Sequence, residues 1–353
     1  MEEKISREKE CYFAAANTYL GFKSYFKEIF APTFYNRLYV IKGGPGTGKS
    51  SMMRKISAHF FNKECEIEEI LCSSDPKSLD GVIIKNNDKK IASLDGTAPH
   101  ETDAKIPGAI DELINLGENW NDAWLAAKSR EICEINSEKA EAYKTAYSYL
   151  KIAGEASGFT MKMFAESFDF GQARKKILDF CREFNAPNKK NNKTRLISAF
   201  GKEGKIKLNT LENKCKNLLQ ISGSEFSSFL FLNEFSTLLL SLNIPAVRFP
   251  NALQPDYLDA IYLEGSDTAI ILGDGNDINA DDMIISTRKY DAERIKNAVF
   301  LRDAALDEAR RWFGIASDMH FRLEKIYSEA MDFEKNNELL RLKLSEMENI
   351  LEV

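Results

Sequence analysis

Residues 43–51 read GGPGTGKSS, and no other stretch of the chain restricts its fold so tightly. Gly43-Gly44-Pro45-Gly46-Thr47-Gly48-Lys49-Ser50 satisfies G-x-x-x-x-G-K-[ST] at every specified position. The run before it, RLYVIK at 37–42, is β-branched and aromatic, as in a strand, and MMRKISAHFF after it has helical spacing. Strand, glycine loop and helix in that order can wrap backbone N–H groups around a phosphate and add the positive end of the helix. On this reading Gly43 to Ser51 bind a nucleotide. Lys49 bridges the β- and γ-phosphates, Ser50 ligates Mg²⁺, and Ser51 reaches the α-phosphate.

The metal needs a carboxylate partner. Asp95 follows the apolar run IASL about forty-five residues beyond Lys49, where it can hold Mg²⁺ or the Ser50 hydroxyl. Its competing role is that of a turn residue in Asp95-Gly96. Because Gly96 stands where many ATPases carry a water-polarising glutamate, the hydrolytic base is unassigned. Asp75, His100 and Glu101 are the catalytic candidates for that place. Asp75 reads equally as a cap before Pro76, and His100 as a loop histidine.

The rest of the first half supports an α/β core. A strand is expected at 67–72, a hairpin at 81–84 and 91–94, and a helix over PGAIDELINLG from Pro107 to Gly117. From 122 to 184, and again from 282 onward, the pattern is helical and charge-rich. Between them, APNKKNNKTR at 186–195 has linker composition. Trp120, Trp124, Trp312 and the aromatic stripe at 159–170 read as helix contacts.

Self-comparison suggests a tandem duplication. A shift of 180 lays Ile41-Lys42-Gly43 on Ile221-Ser222-Gly223, and a shift of 179 lays Leu79-Asp80 on Leu258-Asp259 and Asp95-Gly96 on Asp274-Gly275. A shift of 163 superposes 146–170 on 309–333 without a gap, with Asp169 and Phe170 meeting identical residues. At the place of the glycine loop, Phe229 stands for Lys49 and Leu230 for Ser50, neither able to hold a phosphate or a metal. The segmentation expected is a nucleotide-binding core at 1–121, a helical arm at 122–185, a degenerate core at 186–281 and a second arm at 282–353.

Composition narrows the partners. With 48 Lys and Arg against 54 Asp and Glu, the net charge of −6 argues against nucleic acid as the main partner, though a local basic patch stays open. The six cysteines form no C-x-x-C and no zinc spacing with the three histidines, so reduced, mostly buried thiols in a cytoplasmic protein are expected. MEEKISREKE lacks the apolar core of a signal or transit peptide. The apolar stretch 226–244 is interrupted by Asn233, Glu234 and serines, which favours a buried helix over a membrane span.

GGPGTGKSS resembles the P-loop NTPases. The wider set YFAAANTYLGFKSYF, IKGGPGTGKSS, CSSDPKSLDGVII, SLDGTAPH and PGAIDELINLGENW is similar to a sparsely characterised bacterial family of duplicated P-loop ATPases. The resemblance covers about the first 120 residues with specific motifs. It implies a P-loop core with a mostly parallel sheet, ATP and Mg²⁺ as ligands, and a second copy. That family commonly carries a phosphate loop in both halves, and this chain departs from it at Phe229 and Leu230. The expectation is one nucleotide site, slow ATP hydrolysis, and a second half that regulates or docks a protein partner through the arms. A small-molecule kinase with Asp75 as base, a non-enzymatic nucleotide-gated adaptor and a nucleic-acid-linked ATPase, the last disfavoured by the acidic charge balance, are the alternatives.

Overall fold

A computed structural model describes residues 8–182, 194–275, 277–285 and 291–353. Residues 186–193 of the expected linker lie outside these, as do the first seven of the charged N-terminus. In chain order the strands are β1 (Glu10–Phe13), β2 (Ala15–Thr18), β3 (Gly21–Ser24), β4 (Arg37–Lys42), β5 (Glu66–Leu71), β6 (Leu79–Asn86), β7 (Lys89–Asp95), β8 (Asp111–Asn115), β9 (Ser198–Gly201), β10 (Gly204–Lys207), β11 (Asn217–Ser222), β12 (Val247–Pro250), β13 (Leu258–Leu263), β14 (Thr268–Leu272) and β15 (Ile278–Asn279). The helices are α1 (Phe26–Ile29), α2 (Lys49–Asn62), α3 (Asp122–Ala127), α4 (Ser129–Ser167), α5 (Phe170–Cys181), α6 (Thr210–Lys214), α7 (Glu225–Ser241), α8 (Ala292–Glu329) and α9 (Phe333–Leu351). Two compact units cut across the four expected segments. One gathers the described residues up to Ala15 with Ser24–Lys144 and Phe313–Val353; the other gathers Ala16–Lys23 and the described part of Thr145–Trp312.

In the first unit a six-stranded sheet has the order β1-β5-β6-β7-β4-β8. Strand β4 is parallel to β7 and β8, whereas β5, β6 and β7 pair antiparallel. The sheet is mixed rather than mostly parallel. The reason is local: β6 and β7 are joined by the two-residue turn Asn87-Asp88, with Asn87 at φ 51°, and such a short connection permits only antiparallel neighbours. The expected helix after Pro107 is also corrected, because residues 111–115 form β8. Asp111 and Ile114 are buried while Leu113 is 52% exposed, and the Asp111 carboxylate accepts from the Lys105 and Ile106 amides. Ile110, Leu113 and Ile114 suit helical spacing equally well in sequence, so period alone could not separate the two.

The core of this unit packs Met52, Met53, Ile56 and Phe60 of α2 onto Tyr39, Ile41, Val82 and Ile91 of the sheet, with Leu340, Met347 and Leu351 of α9 added. A charged network fastens α9 beside them. Arg37 pairs with Glu112 and Glu346, Lys343 pairs with the same two carboxylates, and the Tyr39 hydroxyl donates to Glu346. Burial opposes the charged form of Glu346, but the hydrogen bond and charge of Lys343, with Tyr39 and Arg37, hold its carboxyl below the ordinary value. A depressed carboxyl stabilises the fold above its unfolded pKa and loses that contribution as pH falls through the folded one. Wild type should therefore be more stable than Glu346→Gln near pH 7, by at most about 1 kcal/mol for a solvent-screened group. Melting curves should converge as pH drops below 4.5, the ordinary value. A difference independent of pH would show that the carboxylate charge does not hold α9.

In the second unit the sheet order is β12-β13-β14-β11-β15. It repeats β5-β6-β7-β4-β8 strand for strand and in the sense of every pairing. Thr194 bridges Arg248 in parallel beside β12, where β1 stands beside β5 in the first unit. Helix α7 carries Phe229, Phe231, Leu232, Phe235 and Leu239 in the core, packed against Ala173, Ile177 and Cys181 of α5. The apolar stretch 226–244 is thus a buried helix, and no described helix is long and apolar enough to cross a membrane. All six cysteines are free; Cys65 and Cys181 are buried, Cys133 is exposed and the others are half-buried.

The distal helix of the first arm, α5, belongs to the second unit, and α9 belongs to the first. Their elbows are made alike. Asp169 caps α5 and Asp332 caps α9 through side-chain bonds to backbone amides. In the second unit the Asp169 N–H donates to Met283 O and the Ile285 N–H to Ser167 O; in the first unit the Asp332 N–H donates to Asn119 O and the Asn121 N–H to Ala330 O. The 163-residue shift seen in sequence pairs Ser167 and Asp169 with Ala330 and Asp332, while their partners Met283 and Ile285 lie 164 residues from Asn119 and Asn121. Helix α4 has 39 residues, roughly 58 Å at 1.5 Å per residue, and its residues divide between the two units after Lys144.

Candidate functional site

Strand β4 delivers the chain into the glycine loop, and α2 starts at Lys49. Gly46 and Gly48 have φ of 72° and 91°, a left-handed backbone that favours glycine, and no side chain caps the start of α2. Lys49 Nζ donates to Gly43 O at 2.8 Å and Gly44 O at 2.7 Å, and lies 3.6 Å from Asp95 Oδ2. Thr47 Oγ1 donates to Gly44 O. Ser50 Oγ accepts from the Leu79 amide at 2.8 Å, and Ser51 is exposed. Lys49 and Asp95 are brought together because β4 and β7 are adjacent and parallel, with Ile41 opposite Asp95.

Asp95 Oδ1 accepts from the amide and hydroxyl of Thr97, so it also serves as the turn residue. Gly96 has a steric explanation. A Cβ there would stand 2.4 Å from Val40 Cγ1 and 3.0 Å from Thr102 O, which excludes a glutamate. Lys42, at the end of β4, donates to Gly96 O and Asp103.

Of the remaining catalytic candidates, Asp75 and His100 have other engagements. Asp75 accepts from the Lys77 amide and the Ser78 hydroxyl in its own turn. His100 is buried, its Nε2 is 3.1 Å from Asp80 Oδ2, and its ring stacks on Phe26 at 4.2 Å. Glu101 is exposed. Sequence reasoning did not single out Asp80, although its match with Asp259 was visible; both are buried carboxylates. It also missed the residues of the C-terminal arm that press on the loop. The Asn336 side-chain amide donates to Thr47 O, the Tyr327 ring lies 3.0 Å from where a Gly44 Cβ would stand, and Glu324 O lies 2.3 Å from the equivalent point at Gly46. A polar residue in the first turn of a helix nearly three hundred residues away carries no local signal of this.

At the corresponding place in the second unit, only Gly223-Ser224 separates β11 from α7. The start of α7 is satisfied internally: Asp281 accepts from the Ser224 amide and from the hydroxyls of Ser224 and Ser227. Burial raises the Asp281 pKa, and these hydrogen bonds outweigh it, so the net shift is downward. Because the loop here has two residues instead of six, Glu225 and not Phe229 takes the place of Lys49 at the helix start, which corrects the alignment read from sequence; Phe229 and Leu230 are core residues a turn further on, the former stacked on Tyr257 with centroids 5.6 Å apart. Glu225 pairs with Arg302 at 2.7 Å, and Asp274, aligned with Asp95, is exposed.

No protein-family model matches the chain, and no curated protein or solved structure matches it. Among the described residues no group of three or more His, Cys, Asp or Glu side chains could hold a metal ion by itself.

Proposed function

We propose that the first half is a P-loop core that binds ATP with Mg²⁺ and hydrolyses it slowly, and that the second half is a tandem copy without a nucleotide site. The observation carrying this reading is Lys49 at the first position of α2, folded onto Gly43 O and Gly44 O and 3.6 Å from Asp95. A triphosphate on the loop amides replaces those carbonyls as the partner of the ammonium, a charge-assisted contact. Ser50 and Asp95 offer the hard oxygen donors that Mg²⁺ prefers, and Ser50 Oγ uses only one lone pair on Leu79. Bound Mg²⁺ supplies charge neutralisation on the phosphate oxygens. The repeated strand order and paired elbows support the duplication, and the Asp281 carboxylate at the start of α7 supports the loss of the second site.

Slow turnover follows from the missing base. Gly96 cannot carry a carboxylate, His100 is engaged by Asp80 and Phe26, and Asp75 closes its own turn. The elbow resting on the loop favours a second reading, a nucleotide-gated adaptor whose arms signal occupancy to a protein partner. Phosphate release by the purified chain, with and without nucleic acid and a panel of acceptor metabolites, separates the cases. Release into water supports the ATPase, transfer to an acceptor a kinase, and binding without turnover the adaptor.

Asp95→Asn tests the metal role. Mg²⁺-dependent turnover should fall about 100-fold or more, since metal assistance is worth several kcal/mol, while metal-free nucleotide affinity stays nearly unchanged. Equal loss of both, or no change in either, would remove Asp95 from the site.

A further inference from the structure

We infer that Asn336, in the first turn of α9, is a positioning residue of the glycine loop and holds it in the shape that accepts phosphate; this rests on reading that loop as a nucleotide site. The Asn336 side chain is buried, its Nδ2 donates to Thr47 O at 3.0 Å, and its Oδ1 accepts from Asn119 Nδ2 at 2.9 Å. Thr47 O can only accept, so the amide has one orientation that satisfies both neighbours.

The consequence for the loop follows from peptide geometry. In a planar trans peptide the C=O and the next N–H point in opposite directions. Fixing Thr47 O toward Asn336 therefore turns the Gly48 N–H away from α9. Gly48 itself sits at φ 91°, the conformation in which the loop passes into α2. Without a partner, Thr47 O would be a buried acceptor left unpaired, and that peptide would rotate to satisfy it.

The contact is part of a continuous seam. A Cβ at Gly48 would meet Phe333 at 3.4 Å and Asn336 at 3.6 Å, one at Gly44 would meet Tyr327, and one at Gly46 would meet Glu324 O. Gly46 is therefore required both by the approach of Glu324 O and by its positive φ, Gly44 by the approach of the Tyr327 ring, and Gly48 by its φ, since contacts at 3.4 Å and beyond leave room for a Cβ. Asn119 joins the seam from the other side, since its carbonyl accepts the Asp332 amide while its side chain orients Asn336. The first half carries the loop, and the last helix of the chain sets one of its peptides.

The test compares Asn336→Leu, which keeps the size but cannot donate, with Leu340→Ala, which loosens the same helix from the sheet without touching the loop. Asn119→Ala, which removes only the group orienting the amide, serves as the milder variant. ATP with Mg²⁺ is titrated calorimetrically into each full chain, and the melting temperature is read without nucleotide. Asn336→Leu should weaken binding about tenfold or more, the equivalent of one lost buried hydrogen bond, and should raise KM more than it lowers kcat. Asn119→Ala should shift affinity the same way by less. Leu340→Ala should lower the melting temperature at least as much while leaving affinity nearly unchanged. Wild-type affinity in both asparagine variants, or equal loss in Leu340→Ala, overturns the positioning role. If the wild type binds no nucleotide, the reading of the loop itself fails.

Discussion

Lys49→Ala should remove most of the affinity for ATP. The ammonium is largely buried, sits at the start of α2 and already spends its hydrogen bonds on loop carbonyls that a phosphate would displace. A charge-assisted contact of this kind is typically worth about 1.5–3 kcal/mol, or roughly a ten- to hundredfold change in affinity, and more where the triphosphate is shielded from water. Fold stability should change little, because the two carbonyls it releases lie at an accessible loop. Binding is read by titration and stability by melting without ligand. Near-normal affinity in this variant would move the nucleotide away from the loop altogether.

Phe229→Ala should do the reverse. The ring is almost completely buried, stacks on Tyr257 and lies in the α7 core with Phe231 and Phe235. Removing a core phenylalanine costs about 3–5 kcal/mol, a large part of the 5–15 kcal/mol that ordinarily separates folded from unfolded protein. Denaturant unfolding should register that loss. Below the melting transition, nucleotide affinity should stay within about twofold of wild type, since a substitution in the core of the other unit that shares no partner with the site contributes little coupling. Loss of affinity without loss of stability would mean that this position retains a phosphate-binding role.

Much of the first unit was legible because its signals are local. The strand before the loop, the hairpin after it and the start of α2 are each marked by side-chain period or turn chemistry, and the spacing from Lys49 to Asp95 follows from adjacent parallel strands. The segment after Pro107 was misread because its apolar spacing fits two periods and strand β8 is only five residues long. The mixed sheet could have been anticipated from the short Asn87-Asp88 turn. The exchange of distal helices could not, since the apolar faces of α5 and α9 do not encode which sheet they cover. The repeat shows in sequence at the capped elbow, Asp169 and Asp332, and also at exposed positions of the long helices, Lys162 against Lys325 and Glu166 against Glu329. Asn336 was hidden for the same reason as the seam it belongs to: its partner is a backbone carbonyl, which has no sequence identity.

The central claim is a single nucleotide site in the first half of a duplicated chain. Calorimetric titration of ATP with Mg²⁺ into the full chain should give one nucleotide per chain for the wild type and for Phe229→Ala, and binding weakened roughly ten- to hundredfold or more for Lys49→Ala. Two nucleotides per wild-type chain, or tight binding retained after Lys49→Ala, would contradict it.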